Sequence, residues 1–488
     1  MTTRICVAIK ESTTADAVRS IARAIEWADL VEVRADYIRD LDIKHLLHAK
    51  PCPIIFTLRS PEEGGDFRGH EKDRLQLIVR AFQAGADYVD VEFSASWQTV
   101  MNTVPKERVI VSHHNFQETP SDLIPQIEKM ASAGAGIIKI ATRARRLTDN
   151  LAIVRALEYA AARRWNVCAL AMGMEGTPSR ILAPRWNSWM TFTSLPGGEA
   201  TAQGQIPASD LIHEYRVRTL GKETKLYGVL GKPIGHSLSP AIHNSAFAAR
   251  GMDACYLPLE AADMDDFIEF QSTVPLHGVS VTIPYKEDVR RCLRSISAKA
   301  EKIGAVNTLI KTENGWHGEN TDVDGFLRPL QKRMNPSGKR AVVLGAGGAA
   351  RAIVHGLSAQ GASICVVDID RVKARRLAEA FNLDFPDPNQ LQSLQWDLLV
   401  NATPVGMFPK VENSPLPAEW LTGEWVYDLV YNPRETRLLK EAASRGLGTV
   451  SGEEMFLAQA IRQQELWCGL PVPEQEMQDA FKIAIRPR

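Results

Sequence analysis

Eight short β-rich runs, most of them separated by amphipathic helical stretches, fill the first 193 residues and leave few folds open. The runs are Ile5–Ile9, Leu30–Arg34, Ile54–Leu58, Tyr88–Glu92, Val109–His113, Ile137–Ile140, Val167–Ala171 and Trp189–Thr193. Thr14–Ala28, Lys72–Ala84, Ser121–Ala133 and Asn150–Arg163 carry apolar residues at three- and four-residue spacing, the period of a helix with one buried face. Eight strand–helix units in about 220 residues predict a (β/α)8 TIM barrel. An open doubly wound sheet of this length would show fewer strands.

A barrel of this kind presents its chemistry where the strands end. Those ends are charged here: Glu32 and Arg34, Arg59 and Glu63, Glu92, His113 and His114, Lys139 and Arg180. Each alone reads as a solvated ion pair, but seven or more on one rim read as a site. Lys139 lies in the apolar run GAGIIKIAT. Burial there is expected to lower its pKa and leave a neutral amine able to condense with a ketone. The alternative is a structural ion pair with Glu32 or Glu92. His114, on the next strand, titrates near neutrality and suits a proton shuttle, with Glu63 to orient it. Arg59 and Arg180 suit a carboxylate, which a guanidinium grips with two parallel hydrogen bonds. Adjacent strand residues face opposite ways, so His113 and His114 do not suggest a metal site.

The stretch from Thr201 to Asn244 is a seam between two units. It holds the loop TAQGQ, a helical segment expected over Ser209–Thr219, the connector Gly221–Lys225 and the loop GKPIGHSLSP. Strands then resume at Leu226–Leu230, Ala254–Pro258, Val279–Thr282 and Thr308–Ile310, with helices expected at Pro240–Ala249, Asp263–Phe270 and Lys286–Arg291. Ser237 and Ser239 stand before a helix. They would either donate to an anion there or, for Ser239, cap the helix, and composition favours the cap. Further on, the strand Arg340–Leu344 runs into GAGGAARA, which opens a helix to about Gln360, and a second strand, Ser363–Val367, ends at Asp368. Glycines between strand and helix, with an acid some twenty residues on, form a dinucleotide fingerprint in its proper context. Two more strands, Leu398–Asn401 and Val426–Val430, end in NATPVGM and DLVYNP.

The 488-residue chain is too long for one core. Its 57 basic and 58 acidic residues leave a formal charge of −1, which asks for no polyanion, so no nucleic-acid partner is expected. No apolar run is long enough to cross a membrane, and MTTRICVAIK enters a strand without room for a leader. The seven cysteines are scattered with no C-x-x-C pair, which fits a reducing cytoplasm and suggests no zinc site.

Glu32-Val-Arg34, Arg59-Ser-Pro-Glu-Glu63-Gly-Gly, Ser112-His-His114-Asn-Phe, Lys139-Ile-Ala, Ser179-Arg180 and Thr201-Ala-Gln-Gly-Gln205 occur in order through residues 1–219. Together they resemble the type I 3-dehydroquinate dehydratases. The resemblance implies dehydration through an imine on Lys139, with His114 and Glu63 moving the proton. It also implies that Arg180 binds the carboxylate, and that Glu32, Arg34, Arg59, Thr201 and Gln205 hold the ring hydroxyls and close the loop. Asn115 stands where that family usually has Asp, Thr201 where many members have Ser, and Gln203 where Pro is common.

From about 225 on, GKPIGHSLSPAIHN, SVTIPYKE, GAVNT, GENTD, GAGGAARA, NATPVGM, DLVYNPRETRLL and MFLAQAIRQQELW are similar to the shikimate dehydrogenases. This implies a catalytic pair Lys286–Asp322, carboxylate binding by Ser237 and Ser239, and hydroxyl binding by Thr282, Asn307 and Gln459. The cofactor site would comprise Gly345, Ala346, Gly347, Gly348, Ala349, Asp368, Arg371, Thr403, Tyr431 and Gly452. Ser280 replaces an Asn found in many members. The family usually shows Asn-Arg-Thr after the second strand, where this chain has Asp368-Ile369-Asp370-Arg371. The resemblance therefore implies NADP, whereas an acid at 368 would accept from a ribose hydroxyl and repel a 2′-phosphate, which favours NAD or dual use. Arg371 or Lys373 would be left to reach a phosphate.

The expected organisation is α/β throughout: a barrel over 1–220, a substrate-binding domain over 225–328 completed by C-terminal helices over about 453–488, and a Rossmann-type domain over 329–452. The expected function is two successive steps on one small molecule, 3-dehydroquinate to 3-dehydroshikimate to shikimate. A second unit that prefers quinate, and an inactive ligand-sensing regulator, are the rivals. The regulator predicts loss of the catalytic residues, and Lys139, His114, Lys286 and Asp322 are all present. Oligomeric state is left open.

Overall fold

The computed structural model describes residues 2–48, 50–94, 96–199 and 201–485, so the end of the expected C-terminal segment, 486–488, lies outside the described residues. It contains three sheets of eight, six and five strands. By compactness the chain divides into two units, residues 1–226 with 253–275, and residues 227–252 with 276–487.

In the first unit, β1 (Arg4–Ile9), β2 (Leu30–Arg34), β3 (Ile54–Thr57), β4 (Tyr88–Glu92), β5 (Val109–Asn115), β6 (Ile137–Arg143), β7 (Asn166–Met172) and β8 (Met190–Ser194) follow one another in parallel order, with β8 returning to β1. Helices α1 (Thr14–Ala24), α2 (Ile43–His48), α3 (Glu71–Gln83), α4 (Ile124–Ser132), α5 (Asp149–Ala162) and α6 (Thr177–Ile181) lie between them. The seam between β7 and β8 is spanned where Trp189 N–H donates to Val167 O at 2.8 Å.

Period two along each strand sorts the barrel interior into layers. Cys6, Leu30, Ile55, Ile110, Ile137, Cys168 and Met190 belong to one buried apolar cluster, and Tyr88 packs against it. Two or four residues further along the same inward faces come Glu32 and Arg34, Thr57, Asp90 and Glu92, Ser112 and His114, and Lys139. The apolar layer thus fixes which way the polar layer points.

The segment expected to be one helix over 209–219 is two short pieces. A π-helical turn, Asp210–Glu214, ends where Arg216 takes a left-handed φ of 50°, and a 3₁₀ turn follows at Val217–Thr219. Arg185 holds the connector by donating to the Lys222 carbonyl and to Gly221 O and Thr224 O at 3.1 and 3.0 Å.

The second sheet runs β10-β9-β11-β13-β14-β12, with β9 at Lys225–Gly231, β10 at Ala254–Glu260, β11 at Gly278–Val281, β12 at Leu293–Ile296, β13 at Thr308–Thr312 and β14 at Gly315–Glu319. The short strands β12 and β14 escape pattern reading because their side chains are mostly polar or part-exposed. Helices α7 (Ser239–Ala249), α8 (Met264–Thr273), α9 (Ala298–Ile303) and α10 (Asp322–Gln331) accompany it, and the helix expected at 286–291 is a 3₁₀ turn at Asp288–Cys292.

The third sheet, β16-β15-β17-β18-β19, is all parallel: β15 is Arg340–Leu344, β16 Ser363–Val367, β17 Leu398–Asn401, β18 Trp425–Asp428 and β19 Gly448–Val450. Ala341, Val343, Leu398, Val400 and Tyr427 enter one core cluster, and Val342, Leu344, Leu399 and Val426 enter another. Both faces are therefore covered, as a doubly wound sheet requires. Helices α11 (Gly348–Ala359), α12 (Arg371–Phe381), α13 (Arg437–Ser444), α14 (Gly452–Cys468) and α15 (Glu474–Ala484) complete the chain.

Phe326 on α10 is fully buried and stacks on Tyr427 at 4.8 Å between ring centroids. Phe326→Ala is expected to cost about 3–5 kcal/mol, read as a lower urea midpoint for the transition of the second unit. An unchanged midpoint would contradict this packing.

Candidate functional site

Two constellations form, one at the mouth of the barrel and one in the second unit. In the barrel, Lys139 is buried and its ammonium donates to Glu32 Oε1 at 2.8 Å and Asp90 Oδ2 at 3.2 Å. It lies 4.1 Å from the centroid of the Phe192 ring. Thr57 Oγ1 donates to Glu32, and Ser112 Oγ donates to Asp90 Oδ1 at 2.7 Å. Arg59 donates to Ser112 Oγ at 2.6 Å and pairs with Asp90 Oδ1 at 2.9 Å, with Glu92 3.5 Å away. Glu92 also accepts from Arg74 of α3.

Two expectations are corrected here. Burial alone would lower the Lys139 pKa, but the charges of Glu32 and Asp90 outweigh it, and the pKa is raised. The resting amine is an ammonium, not a neutral nucleophile. Of the two acids expected beside Lys139, Glu32 is the one that pairs with it; Asp90 joins it, and Glu92 serves Arg59 and Arg74. Arg59, offered as a carboxylate ligand, is consumed by these acids, and their charges raise its pKa against a burial that would lower it.

Arg180 differs. It is fully buried in α6, its Nε has no hydrogen-bond partner, and no carboxylate pairs with it among the described residues. The side-chain hydrogen bond it makes, from Nη2 to Gln203 O, is long at 3.5 Å. Desolvation brings its pKa down to about 10. A buried guanidinium without an anion costs several kcal/mol, roughly, unless a ligand supplies one.

His114 Nδ1 lies 2.9 Å from Glu63 Oε2, and the His114 N–H donates to the same oxygen at 3.2 Å. The geometry follows from the loop after β3. Gly64 takes φ 79°, and a Cβ on Gly65 would stand 2.0 Å from Arg59 O, so only glycines let the chain fold back over Arg59. Glu63 is thereby returned to β5. Burial, with Arg59 and Lys139 nearby, lowers the His114 pKa well below the ordinary value, so the imidazole is neutral. Burial also pushes Glu63 up to about 7. His113, of opposite parity, is half-exposed. Asn115 keeps the turn that an Asp would make, since its Oδ1 accepts from Gln117 and Glu118 N–H at 2.9 and 3.1 Å.

Arg34 is held on Asp36 at 2.8–3.0 Å and reaches Gly64 O at 3.2 Å. In the loop after β8, Gln205 Oε1 accepts from Thr201 N–H and Oγ1 at 2.8 and 3.1 Å, and Ala202 packs on the barrel's apolar cluster.

In the second unit, Lys286 Nζ donates to Asp322 Oδ2 at 2.5 Å. Asn307 Nδ2 donates to Asp322 Oδ1 at 2.8 Å, and the Asp322 N–H to Asn320 Oδ1 at 3.0 Å, so the carboxylate is fixed from two sides. The Lys286 stem lies 3.2 Å from where a Cβ on Gly348 would stand, which sets the pair against the first turn of α11. Ser239 is the first residue of α7, whose N-terminus has no side-chain cap; the capping role favoured by composition is overturned. Ser237 Oγ instead accepts from the Ser239 N–H at 3.3 Å. Thr282 packs on Gly231, and Gln459 Nε2 donates to Phe456 O. Ser280 is tied to Gln463 Oε1 at 2.8 Å, and Gln463 Nε2 donates to Thr308 Oγ1 at 3.0 Å.

Gly345, Ala346 and Gly347 form the turn between β15 and α11, and α11 begins at Gly348 and Ala349 with no side chain on its terminal amides. Such a start suits a diphosphate. Asp368 accepts from Ala346 and Asp370 N–H, both at 2.8 Å, and Ile369 beside it is 93% exposed. Arg371 donates to Pro386 O and Phe385 O at 2.6 and 2.8 Å. Thr403 Oγ1 donates to Asn401 Oδ1 at 2.6 Å, Tyr431 stacks on Phe456 at 4.5 Å, and Gly452 opens α14 against Leu429 O.

Asp90, Ser112, Asp36, Phe192, Asn320, Gln463 and Phe456 were not singled out from sequence. Strand parity would have found Asp90 and Ser112, which lie two residues before Glu92 and His114. The others have no signal short of three-dimensional contact. Among the described residues no group of three or more His, Cys, Asp or Glu is placed to hold a metal, and no helix is long and apolar enough to cross a membrane.

Residues 5–222 match the type I 3-dehydroquinase family model, and residues 229–309 match that of the shikimate dehydrogenase substrate binding domain. A bifunctional 3-dehydroquinate dehydratase/shikimate dehydrogenase, chloroplastic, of Arabidopsis thaliana is 36% identical over 478 residues, covering 92% of this chain and 79% of that protein. The shikimate dehydrogenase (NADP(+)) of Microcystis aeruginosa is 42% identical over 283 residues, covering 53% of this chain and 96% of that protein. The structure of quinate dehydrogenase from Corynebacterium glutamicum in complex with NAD is 30% identical, with a TM-score of 0.50 over 53% of this chain and 99% of that one.

The His114 imidazole is expected to titrate below 6.5 by NMR, because its folded-state pKa is depressed and the neutral form persists as pH falls through that value. A midpoint at or above 6.5 would contradict the geometry described.

Proposed function

This chain belongs to the family of bifunctional 3-dehydroquinate dehydratase/shikimate dehydrogenases, and on that premise we propose how its residues divide the work. The observation that carries the reading is the pairing of Lys139 with Glu32 and Asp90 beside a neutral His114 and an unpaired Arg180. The chain is a lyase and an oxidoreductase of the shikimate pathway, dehydrating 3-dehydroquinate to 3-dehydroshikimate and reducing that product to shikimate.

In the barrel, Arg180 takes the substrate carboxylate and so gains the anion it lacks. Lys139 passes a proton to its acidic neighbours and attacks the ketone, and water leaves as the imine forms. His114 then removes a proton from the adjacent carbon, and its imidazolium, balanced by Glu63, returns that proton to the departing hydroxyl. Water hydrolyses the imine and frees Lys139. Glu32, Arg34, Arg59, Thr201 and Gln205 surround the ring, with the 201–205 loop closing over it.

In the second unit, Ser237 and Ser239 receive the carboxylate, and Thr282, Asn307 and Gln459 the hydroxyls. Lys286 donates a proton to the ketone oxygen while Asp322 keeps it oriented. A nicotinamide dinucleotide would supply hydride when bound; Gly345, Ala346, Gly347, Gly348 and Ala349 would hold its diphosphate, and Thr403, Tyr431 and Gly452 would complete its site. Asp368 would accept from a ribose hydroxyl and disfavour a 2′-phosphate, so NADH would compete with NADPH more strongly than in the named NADP(+) relative. A quinate-preferring second unit is favoured by one observation, the likeness to the NAD-bound quinate dehydrogenase. The domain limits follow the same reading: barrel 1–220, substrate domain 225–328 with 453–488, dinucleotide domain 329–452. Seven free cysteines suit a reducing cytoplasm.

Borohydride added with 3-dehydroquinate is expected to leave a stable adduct on Lys139, mapped by peptide mass spectrometry; absence of that adduct would sink the imine. For the cofactor, turnover with NADPH and NADH is expected to be of similar order, and Asp368→Asn to shift the ratio towards NADPH by about tenfold. A strong wild-type preference for NADPH would show that Asp368 does not set the choice.

A further inference from the structure

Arg180 sits in a helix of only five residues, too short to hold itself in place. What fixes it is Asn150, the second residue of α5, whose side chain is fully buried. Its Nδ2 donates to Leu147 O at 2.8 Å and Glu175 O at 2.7 Å, and its Oδ1 accepts from the Ser179 N–H at 3.0 Å. One amide thus clasps the loop before α6 and the residue before Arg180. Ser179 Oγ locks the same turn onto β7 by accepting from the Ala171 N–H at 2.9 Å and donating to Gly176 O at 2.7 Å. The clasped segment also supports the loop after β8, because the Gly173 N–H donates to Gln203 O at 3.1 Å.

The clasp depends in turn on the start of α5, which has no cap of its own. Thr148, at the capping position, points its hydroxyl outward to Asp266 of α8 at 2.7 Å. Asp266 is fully buried and accepts the Leu147 and Thr148 N–H groups, both at 2.9 Å, and the Ala262 N–H at 2.8 Å. These are the amides of the turn that leads into α5, whose own first amides bond to Arg146, Leu147 and Thr148 carbonyls at 3.2, 3.3 and 2.9 Å. Asp266 belongs to residues 253–275, which lie inside the stretch matched to the shikimate dehydrogenase substrate binding domain but pack in the same compact unit as the barrel.

We propose that Asn150 and Asp266 are positioning residues for the dehydratase site: Asp266 anchors the Leu147–Thr148 turn that leads into α5, that turn presents Asn150, and Asn150 holds Arg180 and the 201–205 loop for the substrate carboxylate. The dehydratase therefore draws one of its supports from sequence that belongs to the other enzyme. This rests on the reading of Arg180 as the carboxylate ligand.

The test uses the full-length chain and assays both activities on each preparation. Arg180→Gln checks the underlying reading and is expected to raise KM for 3-dehydroquinate by at least about a hundredfold, the scale of a lost charged pair. Asn150→Ala and Asp266→Asn are expected to raise that KM by about tenfold and about threefold, with kcat changed less than KM and shikimate oxidation retained. Thr148→Val, which deletes a single hydroxyl, is the milder variant should either fail to fold, and it is expected to raise KM about twofold. In the positioning variants, inhibition by carboxylate-bearing ring analogues should weaken while inhibition by their carboxamides stays as in wild type. An unchanged KM in Arg180→Gln would overturn the carboxylate reading. A raised KM in Arg180→Gln, with wild-type KM in the folded positioning variants, would overturn the relay alone. An equal fall in kcat of both activities would mark a merely structural role and would also overturn it.

Discussion

A single buried ammonium organises the barrel. Lys139 can keep its charge away from water only because Glu32 and Asp90 reach it, and each of those acids is needed elsewhere as well. Asp90 also holds Arg59, Arg59 also approaches Glu92, and Glu92 also accepts from Arg74. Removing one member would strand a partner in low dielectric, at a cost of about 3–5 kcal/mol. That interdependence explains why polar residues occupy one layer of an otherwise apolar interior, supplied by successive strands.

The second unit uses a lighter version of the same device. Lys286 and Asp322 are paired, but Asn307 and Asn320 provide neutral hydrogen bonds where the barrel uses further charges. The lysine is less buried, and its stem rests beside Gly348 at the start of α11. The two sites differ in the job proposed for their lysine: one would become a nucleophile, the other would hand over a proton.

Much of this was legible in the chain. The strand–helix alternation sets the barrel, and the glycine turn with Asp368 sets the dinucleotide sheet, because both patterns depend on local geometry that residue types record. Asp90 was overlooked because it is not the last residue of its strand, although parity places it level with Thr57 and Ser112. The Lys139 charge state was misjudged because burial acts through composition, which a sequence displays, whereas compensation acts through neighbours, which it does not. Ser239 looked like a cap for the same reason: residue type is visible, but the hydroxyl's direction is not. The break at Arg216, a left-handed residue that is not glycine, follows from tertiary packing and has no signature in the sequence.

The balance of charge at the barrel mouth bears on how a substrate enters. Glu32, Asp90 and Glu92 face Lys139, Arg59 and Arg74, so these six formal charges cancel. A cancelled cluster exerts little pull at a distance, because opposed fields fall away faster than single ones. Arg180 stands apart from this cancellation, with no carboxylate beside it among the described residues. An anionic ring that enters the barrel would find one buried, uncompensated positive charge. With Arg180 in the role proposed for it, the molecule would be turned before it is gripped, carboxylate first, and its ketone would be delivered to the lysine by polarity as much as by shape.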